Sequence, residues 1–109
     1  MANPWTGEVA VVLGGERHVC KLTLGALAEL EAELGADSLF ALAERFETGR
    51  FSARDVAAVL LAGLRGGGWS GAPDLLMRGE IKGGPMAAAR AAAELLARAF
   101  SLPEERIPR

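Results

Sequence analysis

Glycine places the strictest limit on this fold, because fourteen glycines interrupt a chain that is otherwise rich in Ala, Leu and Val. Ala and Leu lead the helix-propensity scale, so the segments between the glycines favour α-helix. These segments are too short for a long coiled coil. At 109 residues the chain has the length of one domain. The sequence therefore predicts an α+β, mostly α fold in one domain (1–109): a β-hairpin over 7–22, four to five short helices over 23–101, and a flexible tail over 102–109.

The hairpin is predicted from two β-prone runs, VAVVL at 9–13 and RHVCKL at 17–22, which flank Gly14-Gly15. A Gly-Gly pair supplies the two positive φ angles of a tight two-residue turn. This turn places Val11 opposite His18 and Val9 opposite Cys20. Alternation along the strands then gives one face that is the better candidate for the core. Its residues are Val9, Val11, Leu13, His18, Cys20 and Leu22.

Polar caps and glycines predict where the first three helices begin and end. Thr23 caps a helix that stops at Gly35, and a second helix runs from about Ser38 to Gly49. The third helix has the clearest start. Ser52 is followed three residues later by Asp55, which resembles a capping box, and Phe51 with Val56 matches a hydrophobic staple. We expect Gly66-Gly67-Gly68 to break this helix into a flexible loop.

Two proline-initiated helices are predicted in the C-terminal part. Pro73 suits the first turn of a short helix from Asp74 to Ile81, and Pro85 opens the last and longest helix. The apolar stripe predicted for the last helix consists of Met86, Ala89, Ala93, Leu96, Ala97 and Phe100. Together, the centres of the apolar stripes give a predicted core of Val11, Leu22, Leu27, Leu30, Phe46, Val59, Leu60 and Leu96.

The sequence pattern predicts no catalytic, cofactor or metal site from the reactive side chains. His18 and Cys20 share a strand face, but the chain has one His and one Cys, and a structural zinc needs about four ligands. We therefore expect purification without stoichiometric zinc. The series Glu29, Glu31, Glu33 is interpreted as solvated surface. Gly66–Gly68 lacks the Lys-Ser or Lys-Thr of a phosphate-binding loop.

Charge and hydropathy exclude two classes of partner. A net charge of -2 and a pI near 5.4 do not predict a nucleic-acid-binding domain. The longest uncharged stretch, 56–64, is too short to span a bilayer. A single cysteine fits a reducing compartment, so a cytoplasmic location is expected.

The sequence also predicts a protein-binding surface on the last helix, whose alanines allow close approach of another helix, and an unpaired hairpin edge where the fold does not cover it. Trp is enriched at binding hot spots, which adds the two tryptophans as candidates. The predicted partner-binding residues are Trp5, Trp69, Met86, Ala89, Ala93, Leu96 and Phe100.

Three blocks of this sequence resemble a small protein of the gene transfer agents, which are phage-derived particles of alphaproteobacteria that package host DNA. The blocks are NPW at 3–5, GERHVCKLTLGALAELE at 15–31 and RFETGRFSARD at 45–55. The resemblance runs from Asn3 to about Phe100. It implies no catalytic residues.

The resemblance implies one of two roles. Tail tube subunits of long-tailed phages are built around a β-sandwich that closes into rings, and the predicted hairpin is too little sheet for that. The prediction is therefore a non-enzymatic tail assembly chaperone that holds tape-measure or tail tube subunits, with homo-oligomerisation possible. The alternative is a permanent structural component of the tail tube or head–tail junction.

Overall fold

The computed structural model describes residues 7–34 and 38–100 of the chain. Two strands are followed by five helices, which confirms the predicted α+β, mostly α class. The elements are β1 Val9–Leu13, β2 Glu16–Cys20, α1 Leu24–Leu34, α2 Leu39–Thr48, α3 Ala53–Gly66, α4 Pro73–Arg78 and α5 Gly84–Ala99. The predicted helix stop at Gly35 and the predicted flexible tail at 102–109 lie outside the described residues.

The hairpin forms in the predicted register. β1 and β2 are antiparallel, with Val9 opposite Cys20 and Val11 opposite His18. Gly14 and Gly15 make the turn at φ 60° and 86°, a region that residues with a Cβ rarely occupy. The face predicted to join the core is buried except at His18, which is half-buried.

Both outer edges of the hairpin are covered in part by the chain's own backbone. On β1, the Gly14 N–H donates to the Glu80 carbonyl at 2.9 Å, and the Lys82 N–H donates to the Val12 carbonyl at 2.9 Å. Just after β2, the Lys21 N–H donates to a carbonyl of α3 at 2.9 Å. The hairpin therefore offers a partner less strand edge than the sequence predicts.

Side-chain caps confirm the predicted starts of α1, α2 and α3. The hydroxyls of Thr23 and Ser38 each accept a hydrogen bond at 3.1 Å from the backbone N–H three residues further on. At α3 the box is reciprocal, because the Ser52 hydroxyl accepts from the Asp55 N–H and the Asp55 carboxylate accepts from the Ser52 N–H. These bonds satisfy N–H groups that a helix start leaves without an internal partner.

The helix α3 is the central element, in contact with β2, α1, α4 and α5. Two glycines at its C-terminal end let it approach the hairpin closely. A Cβ on Gly66 would overlap the carbonyl oxygen of Lys21, and a Cβ on Gly67 would overlap that of Val19. The predicted break of the third helix at 66–68 is confirmed, since α3 ends at Gly66. The flexible loop is wrong for Gly66 and Gly67, which pack against the hairpin backbone.

The helix α4 ends earlier than predicted, at Arg78 rather than at Ile81. Ile81 instead forms a β-bridge with Leu13. Pairing of Ile81 with the hairpin therefore overrides the local helical pattern. Gly79 marks the change, because a Cβ there would lie 2.6 Å from a methyl group of Leu13.

The buried face of α5 is rotated from the predicted stripe. Met86 is 72% exposed, and Ala89 and Ala93 are half-buried. The runs AAA at 87–89 and 91–93 make most of the helix circumference apolar, so periodicity does not select one buried face. Packing against α3 and β1 selects it. The residues that α5 buries are Ala88, Ala91, Ala92, Leu95 and Leu96.

One hydrophobic core joins the hairpin to all five helices. Leu27 and Phe46, predicted as core, are half-buried against it instead. Leu24 at the start of α1 is 84% exposed. No polar or charged residue is buried in the described parts of the chain. The predicted core residues that are buried are Val11, Leu22, Leu30, Val59, Leu60 and Leu96.

Candidate partner-binding groove

The residues of α5 predicted to bind a partner do not share one exposed surface. Leu96 is 2% exposed and lies in the core, so it offers almost no surface to a partner in this fold, and partner contact by Leu96 stays a prediction. Met86 is exposed at the start of the helix, and Ala89 and Ala93 lie at its half-buried flank. For these three residues, partner contact stays a prediction.

The aromatic candidates contact residues of their own chain. Trp69 is half-buried, and its ring meets that of His18 edge-on, with centroids 6.3 Å apart. The ring of Phe100 lies against the exposed Phe40, with centroids 5.5 Å apart. Trp5 lies outside the described residues. Partner contact by these aromatic residues also stays a prediction.

Cys20 and His18 differ sharply in their surroundings. Cys20 is fully buried, and burial raises the pKa of its thiol to about 12. Such a thiol stays protonated at neutral pH and is a poor nucleophile. His18 lies closer to solvent, with Nε2 3.9 Å from Oε1 of Glu16. Across residues 7–34 and 38–100, no group of three His, Cys, Asp or Glu side chains is placed to hold a metal ion.

A groove between α1, α3 and α4 forms a surface that the sequence pattern did not predict. It encloses about 880 Å³. Leucines and short alanine side chains dominate its lining, and short side chains let another element approach the backbone closely. Met77, 66% exposed, stands at its α4 edge. The apolar residues that line the groove from α1 and α3 are Leu30, Ala32, Leu34, Ala53, Ala57, Ala58, Leu61 and Ala62.

Charged side chains stand on the two long walls of the groove. Glu29 and Glu33 lie on α1, and Arg54 and Arg65 lie on α3. Residues four apart share one side of a helix, so Glu29 and Glu33 both reach the groove, whereas the exposed Glu31 does not line it. Arg65 Nη1 lies 4.0 Å from Glu29 Oε1 and links the two walls.

Asp55 fixes the start of the α3 wall. Its carboxylate accepts Arg45 Nε and Nη2, each at 3.1 Å, as well as the Ser52 N–H. Burial raises the pKa of the Asp55 carboxyl, but the bonds from Arg45 and Ser52 outweigh it and hold this pKa below the ordinary 3.8. The bidentate pair ties α2 to α3, because planar guanidinium and carboxylate groups match in geometry.

Two signals in the sequence point to the groove. The glutamates of α1 are exposed, as the solvated-surface interpretation predicts, but the four-residue spacing of Glu29 and Glu33 also places them on one side. On α3, Ala53 and Ala57 repeat at the same spacing. Neither signal predicts that α4 closes the groove. The position of α4 depends on how the short segment after α3 folds back toward the groove.

The fold is thus a small α-rich domain with an apolar, charge-rimmed helical groove, a geometry suited to holding part of another protein. Residues 6–102 match the family described as phage tail tube protein, GTA-gp10. The chain belongs to this family, and it is therefore a phage-tail protein of the gene transfer agent type.

Membership confirms the resemblance to a gene transfer agent tail protein. The family is structural rather than enzymatic, and membership implies association with other phage tail proteins. Comparisons with curated proteins and with solved structures gave no match. In the described part of the chain, none of the helices combines the length and the apolar character needed to cross a membrane.

Proposed function

We propose that the chain is a tail assembly chaperone, which holds tape-measure or tail tube subunits in the cytoplasm while a phage-like tail is built. The observation that supports this role is the groove between α1, α3 and α4, an apolar surface with a charged rim. Such a surface can cover an apolar segment of a partner until that segment is buried in the tail.

The small sheet supports the same role. The described residues contain two strands of five residues each, and the chain's own backbone covers part of both outer edges. A ring held together by strand pairing between subunits would need uncovered strand edges, and this hairpin offers few of them. Helical packing is the mode of association that this fold offers most readily.

A second candidate is a permanent component of the tail, and the family's description as a tail tube protein favours it. A subunit of this kind would use its helical surfaces for contacts between copies or with neighbouring tail proteins. It would remain in the finished particle, whereas a chaperone would leave.

Quantitative mass spectrometry of purified particles separates the two roles. For a chaperone we expect the chain to be abundant in lysates of producing cells and absent from particles, and deletion of its gene to abolish tails. Detection in particles at the copy number of a tail ring would overturn the chaperone proposal and support the structural one.

Co-expression gives an independent test of the chaperone role. The tape-measure and tail tube proteins are each produced with and without the chain, and their soluble fractions are compared. We expect the chain to raise the soluble fraction of one of them. A Leu96→Glu variant is not informative here, because a charge at this core position would unfold the chain.

A further inference from the structure

We propose that the groove between α1, α3 and α4 binds an amphipathic helix of a tail protein, with basic side chains along the edge that faces α1. This inference rests on the proposed function and specifies the kind of segment that the chain would hold. Three observations carry it: the helical walls of the groove, its length, and the charges on its rim.

The walls favour a helix over an extended segment. The groove is lined by residues of three helices, whose backbone N–H and C=O groups are largely used within the helices themselves. An extended peptide would therefore leave its own backbone groups unpaired against an apolar surface. A helix satisfies its backbone hydrogen bonds internally, so it can bind through side-chain contacts alone.

The length of the groove sets the length of the helix. Its α3 wall runs from Ala53 to Arg65, which corresponds to about 18 Å at a rise of 1.5 Å per residue. A helix of about twelve residues, or three turns, spans this distance. The alanines at 53, 57, 58 and 62 favour apolar partner side chains that pack closely.

The rim charges set the orientation. Glu33 lies in the last turn of α1, which contains no basic residue, so its charge faces the negative end of the helix dipole. Lys or Arg from a partner would relieve this unfavourable arrangement and pair with Glu33. Across the groove, the exposed Arg54 favours a neutral or acidic edge.

The test uses two synthetic peptides of about 14 residues with the same Leu/Ala stripe at helical spacing, one with Lys and one with Glu along the edge predicted to face α1. Binding to the purified full chain is measured by fluorescence anisotropy at low ionic strength. We expect the Lys peptide to bind about tenfold more tightly, with a difference that shrinks as salt is added. Equal binding, or no binding by either peptide, would overturn the proposal.

A matched pair of charge reversals tests the rim. Glu33→Lys should weaken binding of the Lys peptide about 3–10-fold, because one attraction becomes a repulsion. Glu31→Lys makes the same change in net charge on the same helix, away from the groove, and should leave binding nearly unchanged. If both variants weakened binding of the Lys peptide equally, the effect would be long-range electrostatics, and the groove would be rejected as the binding site.

A matched pair of size increases tests the groove itself. Ala32→Trp places a large side chain in the groove from an exposed position, whereas Ala28→Trp is exposed one turn earlier and does not line it. We expect the first variant to lose at least about tenfold in affinity for the Lys peptide, since the ring occupies the space of the bound helix, and the second to bind as wild type does. A chain that dimerises by analytical ultracentrifugation and becomes monomeric on Ala32→Trp alone would identify the occupant as a second copy and overturn the proposal.

These outcomes are independent of the particle assay. Detection of the chain in particles would remove the chaperone role even where the Lys peptide binds. Conversely, the chain could be absent from particles while its Glu33→Lys and Ala32→Trp variants solubilise a tail protein as well as wild type does. This result would support the chaperone role and reject the groove as the binding site.

Discussion

At the scale of single residues, the contact between α3 and the hairpin depends on the missing side chains of Gly66 and Gly67. Each of these glycines lies where a Cβ would overlap a carbonyl oxygen of the segment 19–21. Backbone atoms cannot rotate out of the way as a flexible side chain can. The close approach therefore requires glycine, although neither residue has a positive φ.

The first prediction concerns this contact. Gly67→Ala should lower the free energy of unfolding by about 1–3 kcal/mol, because the new methyl group forces α3 away from the hairpin. Gly25→Ala is the control, since Gly25 is helical and a new Cβ there would meet only Thr23 Oγ1, at an ordinary contact distance of 4.0 Å, so the change should be neutral or stabilising by up to about 1 kcal/mol. Urea unfolding of both variants measures the difference. Equal stability of Gly67→Ala and wild type would contradict the close approach.

The second prediction concerns pH and the pair Arg45–Asp55. The pKa of Asp55 is below 3.8 in the folded chain, so its contribution to stability is complete above pH 3.8 and is lost as pH falls through the lowered folded value. Asp55→Asn should cost about 1–3 kcal/mol at neutral pH and much less in acid. The control Asp74→Asn removes an exposed carboxylate paired with Arg78 at 3.4 Å and should cost under about 1 kcal/mol. An Asp55→Asn cost that does not depend on pH would reject the linkage.

At the scale of elements, α5 shows how an alanine-rich helix chooses its buried face. Ala is small and has no polar atoms in its side chain, so three consecutive alanines can be placed against a core in more than one rotation. The larger Leu95 and Leu96 fix the rotation, and Leu95 lies beside Gly63 of α3, where a Cβ would come within 2.7 Å of its methyl group.

The third prediction tests this rotation. Ala92→Leu should destabilise the chain by about 1–3 kcal/mol, because Ala92 is fully buried and extra atoms in a close-packed core force its neighbours to shift. Ala97→Leu adds the same atoms at an exposed position of the same helix and should change stability by less than about 0.5 kcal/mol. Thermal unfolding by circular dichroism compares the two. If Ala97→Leu were the less stable of the two variants, the result would favour the buried face predicted from the sequence.

At the scale of the whole molecule, the hairpin and the helices share one core built around α3. The buried side chains of the hairpin and of the five helices form a single cluster. An isolated two-stranded hairpin is marginal in water, so the hairpin depends on α3 and α5 for its stability.

The fourth prediction follows from this shared core. Leu60 is 2% exposed at the centre of α3, and Leu60→Ala should cost about 2–5 kcal/mol, a large part of a total of about 5–15 kcal/mol. Unfolding should be a single transition in which tryptophan fluorescence and circular dichroism coincide. A loss below about 1 kcal/mol, or separate transitions, would contradict one cooperative core. Leu75→Ala, at a position 53% exposed, is the control and should cost less.

The amino-acid sequence by itself determined the local structure, because its signals act over a few residues. Gly14-Gly15 defined the hairpin turn and thereby the pairing of Val9 with Cys20, and Ser52 with Asp55 defined the start of α3. Turn geometry and helix caps depend on dihedral angles and hydrogen bonds between near neighbours, so a pattern of residue types is enough to predict them.

Only the tertiary structure decided which faces meet. Tertiary packing ends α4 before Ile81 and buries the face of α5 that carries Ala92 and Leu95. It also places Gly66 and Gly67 in contact with the hairpin backbone instead of in a loop. It also created the groove, since no segment alone indicates that α1, α3 and α4 lie side by side. Such outcomes depend on competition between distant segments for the same core, and Ala and Gly, which fit many surroundings, carry little local information about the result.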